Sequence, residues 1–313
     1  MKRAVSVSLG SSKRDKQSVV TLLGEEISLE RRGTDGDFDR FAALFGELDG
    51  QVDALGVGGA DIYVVAGTKR YAFRQILRAV AGAKKTPVVD GSGLKHTLER
   101  ETIRRLQREG TFDFKDKRVL LVSGVDRFGM AQALEEAGAK VTYGDLPFGV
   151  GVNLPIRSQR AMERLARLIL PAITRMPLQW FYPTGEKQEA RTPKYASLFT
   201  EADLVCGDWH YIRRFMPDQL PGATILTQTL RKADLEFLSG AGVARAITTT
   251  PAIEGETFAT NVMEAALVAI LGPLDEAGIE AALARIGWSP NVMELRGSKG
   301  NLDASPAGET SRP

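Results

Sequence analysis

Residues 118–145, RVLLVSGVDRFGMAQALEEAGAKVTYGD, constrain the fold most: a strand, a glycine turn, a helix, a second strand and a terminal acid follow in order. That succession is the outline of a dinucleotide-binding βαβ unit. In such a unit the first glycine makes the tight turn and a later one lets the helix pack closely. Pyrophosphate rests on unpaired helix N–H groups, and the acid after the second strand takes the ribose hydroxyls. Gly124 and Gly129 fill the first and last glycine places, and Asp145 lies about 20 residues beyond the turn. Asp126 stands in the middle place, where a glycine should admit pyrophosphate. A carboxylate there repels phosphate unless it is turned away. Gly124, Asp126, Gly129 and Asp145 are thus the candidate cofactor turn, with NAD expected rather than NADP because Asp145 would repel a 2′-phosphate.

The rest of the chain divides around this unit. Strand-like runs at 4–9, 18–23 and 27–31 precede a helix at 38–48, whose Phe41, Leu44, Phe45 and Leu48 keep helical spacing. A buried strand at 52–57, a hairpin around 66–68, a helix at 74–81, a strand at 86–90 and a long helix at 94–108 complete the first third. The charged run DFKDK, 113–117, marks a boundary. Beyond it strands at 119–123, 140–143, 204–206, 224–227 and 245–249 alternate with helices, which gives a parallel sheet covered on both faces. The expected fold is α/β: a mixed α/β N-terminal domain over 1–115, a Rossmann-like parallel sheet domain over 116–290, and a disordered tail over 296–313. The apolar helix at 258–271 fits either domain.

Ligands of open parallel sheets bind beyond the carboxyl ends of the strands, and polar residues gather there: Ser123, Asp126, Asp145, Asp208, His210 and Thr248 to Thr250. Each also suits a helix cap. Asp90-Gly-Ser92-Gly-Leu-Lys95 opens a helix straight after a strand. Its exposed N–H groups, the Ser92 hydroxyl and the Lys95 ammonium form a candidate seat for a carboxylate substrate, or a glycine turn with a cap. Lys95 or His210, the latter oriented by Asp208, is the candidate base. Lys187, in the YPTGEKQ loop, is a candidate substrate contact. A metal on Cys206, Asp208 and His210 is disfavoured because Gly207 ends the strand. The SLGSSKRD loop, 8–15, has the hydroxyls and cations of a phosphate-holding hairpin but lacks the G-x-x-x-x-G-K-[ST] loop.

Bulk composition narrows the class. Forty-one basic against 39 acidic residues leave a net +2, too balanced for nucleic-acid binding by field alone. The longest apolar run, LARLILPAI, falls far short of the ~20 apolar residues of a membrane span. One cysteine in 313 residues and no signal-like start agree with a reducing, cytoplasmic setting.

Through SVSLGSSKRD, GTDGD, TPVVDGSGLKHTLE, SGVDRFGMA, YPTGEKQE, GDWHYIRR and ITTTP, the chain resembles a group of bacterial proteins labelled quinate 5-dehydrogenase. That resemblance implies an NAD(P)-linked oxidation of a polyhydroxy ring acid such as quinate. The paired-serine, Asn-Val-Thr and glycine-rich motifs of the shikimate and quinate dehydrogenases do not stand here in recognisable form, so residue roles rest on local chemistry alone. Two alternatives stay open: a nucleotide-binding phosphoryl-transfer enzyme using the 8–15 loop, and a non-catalytic ligand-binding or regulatory protein on a Rossmann-like fold.

Overall fold

The computed structural model describes residues 1–66, 69–177, 191–250, 252–253 and 256–295. The chain runs β1 (Lys2–Ser8), β2 (Lys16–Leu22), β3 (Glu25–Gly33), α1 (Phe38–Leu48), β4 (Ala54–Gly58), β5 (Tyr63–Ala66), β6 (Lys69–Ala72), α2 (Arg74–Val80), β7 (Val88–Val89) and α3 (Ser92–Arg108). It continues through β8 (Arg118–Leu121), α4 (Phe128–Glu136), β9 (Lys140–Tyr143), α5 (Gln159–Ile173), α6 (Ala196–Thr200), β10 (Leu204–Cys206), α7 (Trp209–Phe215), β11 (Thr224–Thr227), α8 (Lys232–Gly240) and β12 (Arg245–Thr248). Last come β13 (Ala252–Ile253), β14 (Glu256–Thr257), α9 (Thr260–Leu271), α10 (Glu276–Arg285) and β15 (Asn291–Glu294).

Two sheets organise these elements. The first has the order β2-β3-β1-β4-β7 and is parallel except for β2, which pairs antiparallel with β3. The second has the order β15-β12-β11-β10-β8-β9 and is parallel except for β15 at its edge. The architecture is α/β, a mixed sheet followed by a Rossmann-like parallel one, as the alternation of elements predicts.

Three apolar clusters hold the layers. Ala4, Ile27, Leu29 and Ala54 of the first sheet pack on Leu94 and Leu98 of α3, on Met263 and Leu267 of α9 and on Ile279 and Leu283 of α10. The opposite face, with Val5, Val7, Leu55 and Val57, packs on α1 and α2. That cluster continues through Ile103 and Leu106 of α3 to Val119, Leu121, Leu204 and Ile247 of the second sheet. The far face of the second sheet packs under Phe199, Ile212, Phe215 and Leu238. Helix α3 therefore lies between the two sheets and serves both cores. Helix α9, which boundaries of 116–290 would group with the second sheet, covers the first. Its mostly apolar surface suits burial, its two buried polar residues find partners on this side, Asn261 donating to Ser6 of β1 and Glu264 accepting from Leu94 of α3, and the chain then returns to add β15 to the second sheet.

Candidate functional site

The C-terminal ends of both sheets meet over the first turns of α3. Lys95 leaves this helix buried, with its Nζ 2.8 Å from Asp126 Oδ1 after β8 and 3.7 Å from Asp61 Oδ1 after β4. One turn on, the wholly buried Glu99 accepts from the buried Arg127 guanidinium. Arg127 also reaches Asp208 at 3.4 Å and Asp126 at 3.8 Å, and Gln228 Nε2 donates to Glu99 at 3.4 Å. Two buried cations thus sit beneath three carboxylates whose side chains stay 21–31% exposed: Asp61, Asp126 and Asp208.

Electrostatics fix the ionisation of this cluster. Burial alone would lower the pKa of Lys95, but Asp126 and then Asp61 outweigh it and hold the ammonium above the ordinary lysine value. Burial likewise works to raise Asp126, and Lys95 with Arg127 more than reverses it. Burial raises Glu99 despite its arginine. Proton loss from Lys95 is therefore resisted, the opposite of what a general base needs. The expected role of Lys95 as base or carboxylate seat gives way to that of a structural counter-ion.

The cofactor turn is also rearranged. Asp145 folds back onto the turn, and its two oxygens accept the N–H groups of Gly124 at 3.0 Å and Val125 at 2.9 Å. Burial pushes its carboxyl up to about 6. The donors expected to hold pyrophosphate are thus taken by the acid expected to hold ribose. A Cβ on Gly124 would lie 2.5 Å from the Tyr143 ring, so this glycine serves packing within the βαβ unit. Gly129 keeps its close-packing role against a different partner, since a Cβ there would lie 2.9 Å from the His96 carbonyl of α3. Asp126 is turned towards Lys95. With Asp145 closing the turn and Asp126 beside it, these residues do not fit a dinucleotide.

The Asp90-to-Lys95 segment is likewise closed by the protein itself. Asp90 accepts the N–H groups of Ile62 at 2.8 Å, Tyr63 at 3.0 Å and Ser92 at 3.0 Å, and the Ser92 hydroxyl at 2.5 Å. Glu264 of α9 accepts the Leu94 N–H at 2.9 Å. Burial raises Glu264 to about 7. The helix start therefore carries the chain's own carboxylates in place of a substrate's. Asp208 caps α7 by accepting the backbone N–H groups of His210 and Tyr211. It holds the backbone of His210 and not its imidazole, and His210 is exposed, so no Asp–His proton relay forms. Lys187 lies outside the described residues. In the 8–15 loop, Ser8 Oγ and Asp15 accept from Arg31 of β3, while Ser12 donates to Asp35; two of the loop's hydroxyls are thus engaged by residues outside it.

Asp61, Glu99 and Arg127 escaped the sequence reading. Lys95, Glu99 and Thr102 recur at spacings of four and three along α3 beside the buried Leu94, Leu98 and Ile103. A polar stripe on the buried side of a helix is a legible sign of an internal ion network.

No curated protein matches the chain. Among solved structures it is similar to a galactofuranose binding protein, at 13% identity and TM-score 0.35 over 91% of this chain and 98% of that one. It is also similar to the substrate-binding protein of a sugar ABC transport system from Bordetella parapertussis, at 10% identity and TM-score 0.35 over 98% and 92%. L-tryptophan dehydrogenase from Nostoc punctiforme is similar at 11% identity and TM-score 0.36 over 91% and 78%. A domain of unknown function, DUF8753, matches residues 3–90. Residues 93–295 match a second domain of unknown function, DUF8754, and the chain belongs to that family.

Proposed function

We propose that the carboxylate cluster over α3 binds a small polyhydroxylated molecule that is uncharged or cationic, and that the protein works as a ligand-binding module rather than as a dehydrogenase. The observation that carries this reading is the seating of Asp126 and Asp208, partly exposed carboxylates held over the buried Lys95 and Arg127. Carboxylates fixed in this way are preorganised acceptors. Each hydroxyl they receive makes a charge-assisted hydrogen bond worth about 1.5–3 kcal/mol. The charge balance argues against an acid as ligand: Lys95 and Arg127 face Asp61, Asp126 and Asp208 in addition to Glu99. The hydroxyl-rich half of a quinate-like molecule suits this surface and its carboxylate does not. Hydride transfer would need a dinucleotide seat, and the turn at Gly124 does not fit one.

Isothermal titration with myo-inositol, glucosamine, quinate and NAD tests the reading. Heat is expected from the neutral or cationic polyol and none from NAD. Asp126→Asn and Asp208→Asn should each weaken the polyol by roughly tenfold or more, with circular dichroism confirming the fold. Saturable binding of NAD, or quinate binding more tightly than either of the other polyols, would end this proposal and restore the oxidoreductase reading.

A further inference from the structure

Away from this cluster, the start of α2 and the end of α5 border an open pocket of about 430 Å³ lined by Arg74, Gln75, Arg78, Arg175, Met176 and Pro177. The backbone fixes this meeting. The Arg74 N–H donates to the Thr174 carbonyl at 3.1 Å, which ties the first residue of α2 to the last turn of α5. Arg74 and Arg78 stand one turn apart on α2, and Arg175 follows α5, so three arginines border one volume. All three are exposed. Other arginines of the chain face carboxylates: Arg40 meets Glu47, Arg118 meets Asp203 and Arg245 meets Glu294. Among the described residues no carboxylate answers Arg74, Arg78 or Arg175.

Like charges at i and i+4 on a helix repel, and a third cation across the pocket adds to that cost. The arrangement becomes favourable when an anion sits between the three groups. Guanidinium groups present paired N–H donors that match the oxygens of a phosphoryl group, and the volume lies in the range of small-ligand pockets. We infer that this pocket binds a terminal phosphoryl group, either of a small soluble phosphate ester or of a phospholipid headgroup. It is a separate site from the carboxylate cluster over α3, whose charge would exclude such a ligand.

Thermal melts of the full chain at low ionic strength, with inorganic pyrophosphate against chloride matched in ionic strength, test the inference. Pyrophosphate is expected to raise Tm by several degrees in a saturable way. Replacing all three arginines, Arg74→Ala with Arg78→Ala and Arg175→Ala, should raise its Kd by roughly tenfold or more, and Arg78→Lys should retain only part of the affinity. Sedimentation with phosphatidylcholine vesicles, with and without phosphatidic acid, separates the sources. Arginine-dependent sedimentation only with phosphatidic acid assigns a lipid headgroup, and a pyrophosphate response without sedimentation assigns a soluble ester. The absence of both responses, or their persistence in the triple variant, overturns the site. So does a ligand-free triple variant that melts below the wild type at low salt, because the arginines would then be answering a carboxylate of the chain itself.

Discussion

At the scale of single residues, Glu264 links the fold to pH. Its carboxyl is raised to about 7 by burial, from an ordinary value of 4.5, and Asp145 is raised to about 6 from 3.8 for the same first reason. A carboxyl whose pKa rises on folding stabilises the native state fully below its unfolded value and loses that contribution as pH climbs through its folded value. The window for Glu264 therefore runs upward from its ordinary value to about 7. Glu264→Gln keeps an oxygen for the Leu94 N–H and removes the titration. Urea melts at about pH 5 and about pH 8 should show the wild type losing on the order of 2 kcal/mol more than Glu264→Gln over that interval. An identical pH profile for the two proteins would mean that Glu264 titrates normally. The same residue shows why the site was only partly legible. The Asp90-to-Lys95 turn was visible as an anion seat, but the anion that fills it comes from 170 positions away, and no local pattern reports that.

At the scale of elements, the contact of α3 with α4 depends on Gly129. A Cβ there would press against backbone, the His96 carbonyl at 2.9 Å, and the helices would have to separate. Gly129→Ala should cost about 1–3 kcal/mol in chemical denaturation. Gly46, exposed within α1 with nothing near its Cβ position, supplies the contrast: Gly46→Ala should stabilise by about 0.5–1 kcal/mol. Equal effects of the two substitutions would remove the helix contact from the argument. Elements were the best-read level of this chain. Helix α1 with its Phe41, Leu44, Phe45 and Leu48 stripe, and strands β9, β10 and β11, fall where periodicity sets them. The βαβ outline was equally clear, yet its chemistry was not, because whether Asp145 faces a ribose or its own turn is a matter of side-chain direction that no spacing of residues reports. Helix α10 and strand β15 went unassigned. Four residues of β15 at a sheet edge carry little pattern.

At the scale of the molecule, the path of the chain decides what can fold alone. Residues 1–113 contain the first sheet without α9, so Ala4, Ile27, Leu29, Ala54 and Leu98 would lose the cover of Met263, Ala266 and Leu267. That fragment should fail to give a cooperative thermal transition, and fusing residues 256–290 to its end through a flexible linker should restore one. A cooperative melt from residues 1–113 alone would show that α9 is dispensable. Three connections run between the sheets, before β8, before α9 and before β15. A single proteolytic nick in any one of them leaves the two units still joined. The late arrival of α9 also carries a cost during synthesis. Some 200 residues separate Ala54 from Thr260; at roughly 5–20 residues per second, the ribosome needs on the order of ten to forty seconds to make them. Through that interval one apolar face of the nascent first sheet has only α3 for cover, so hydrophobic surface meant for the interior stays open to water until the message has nearly been read.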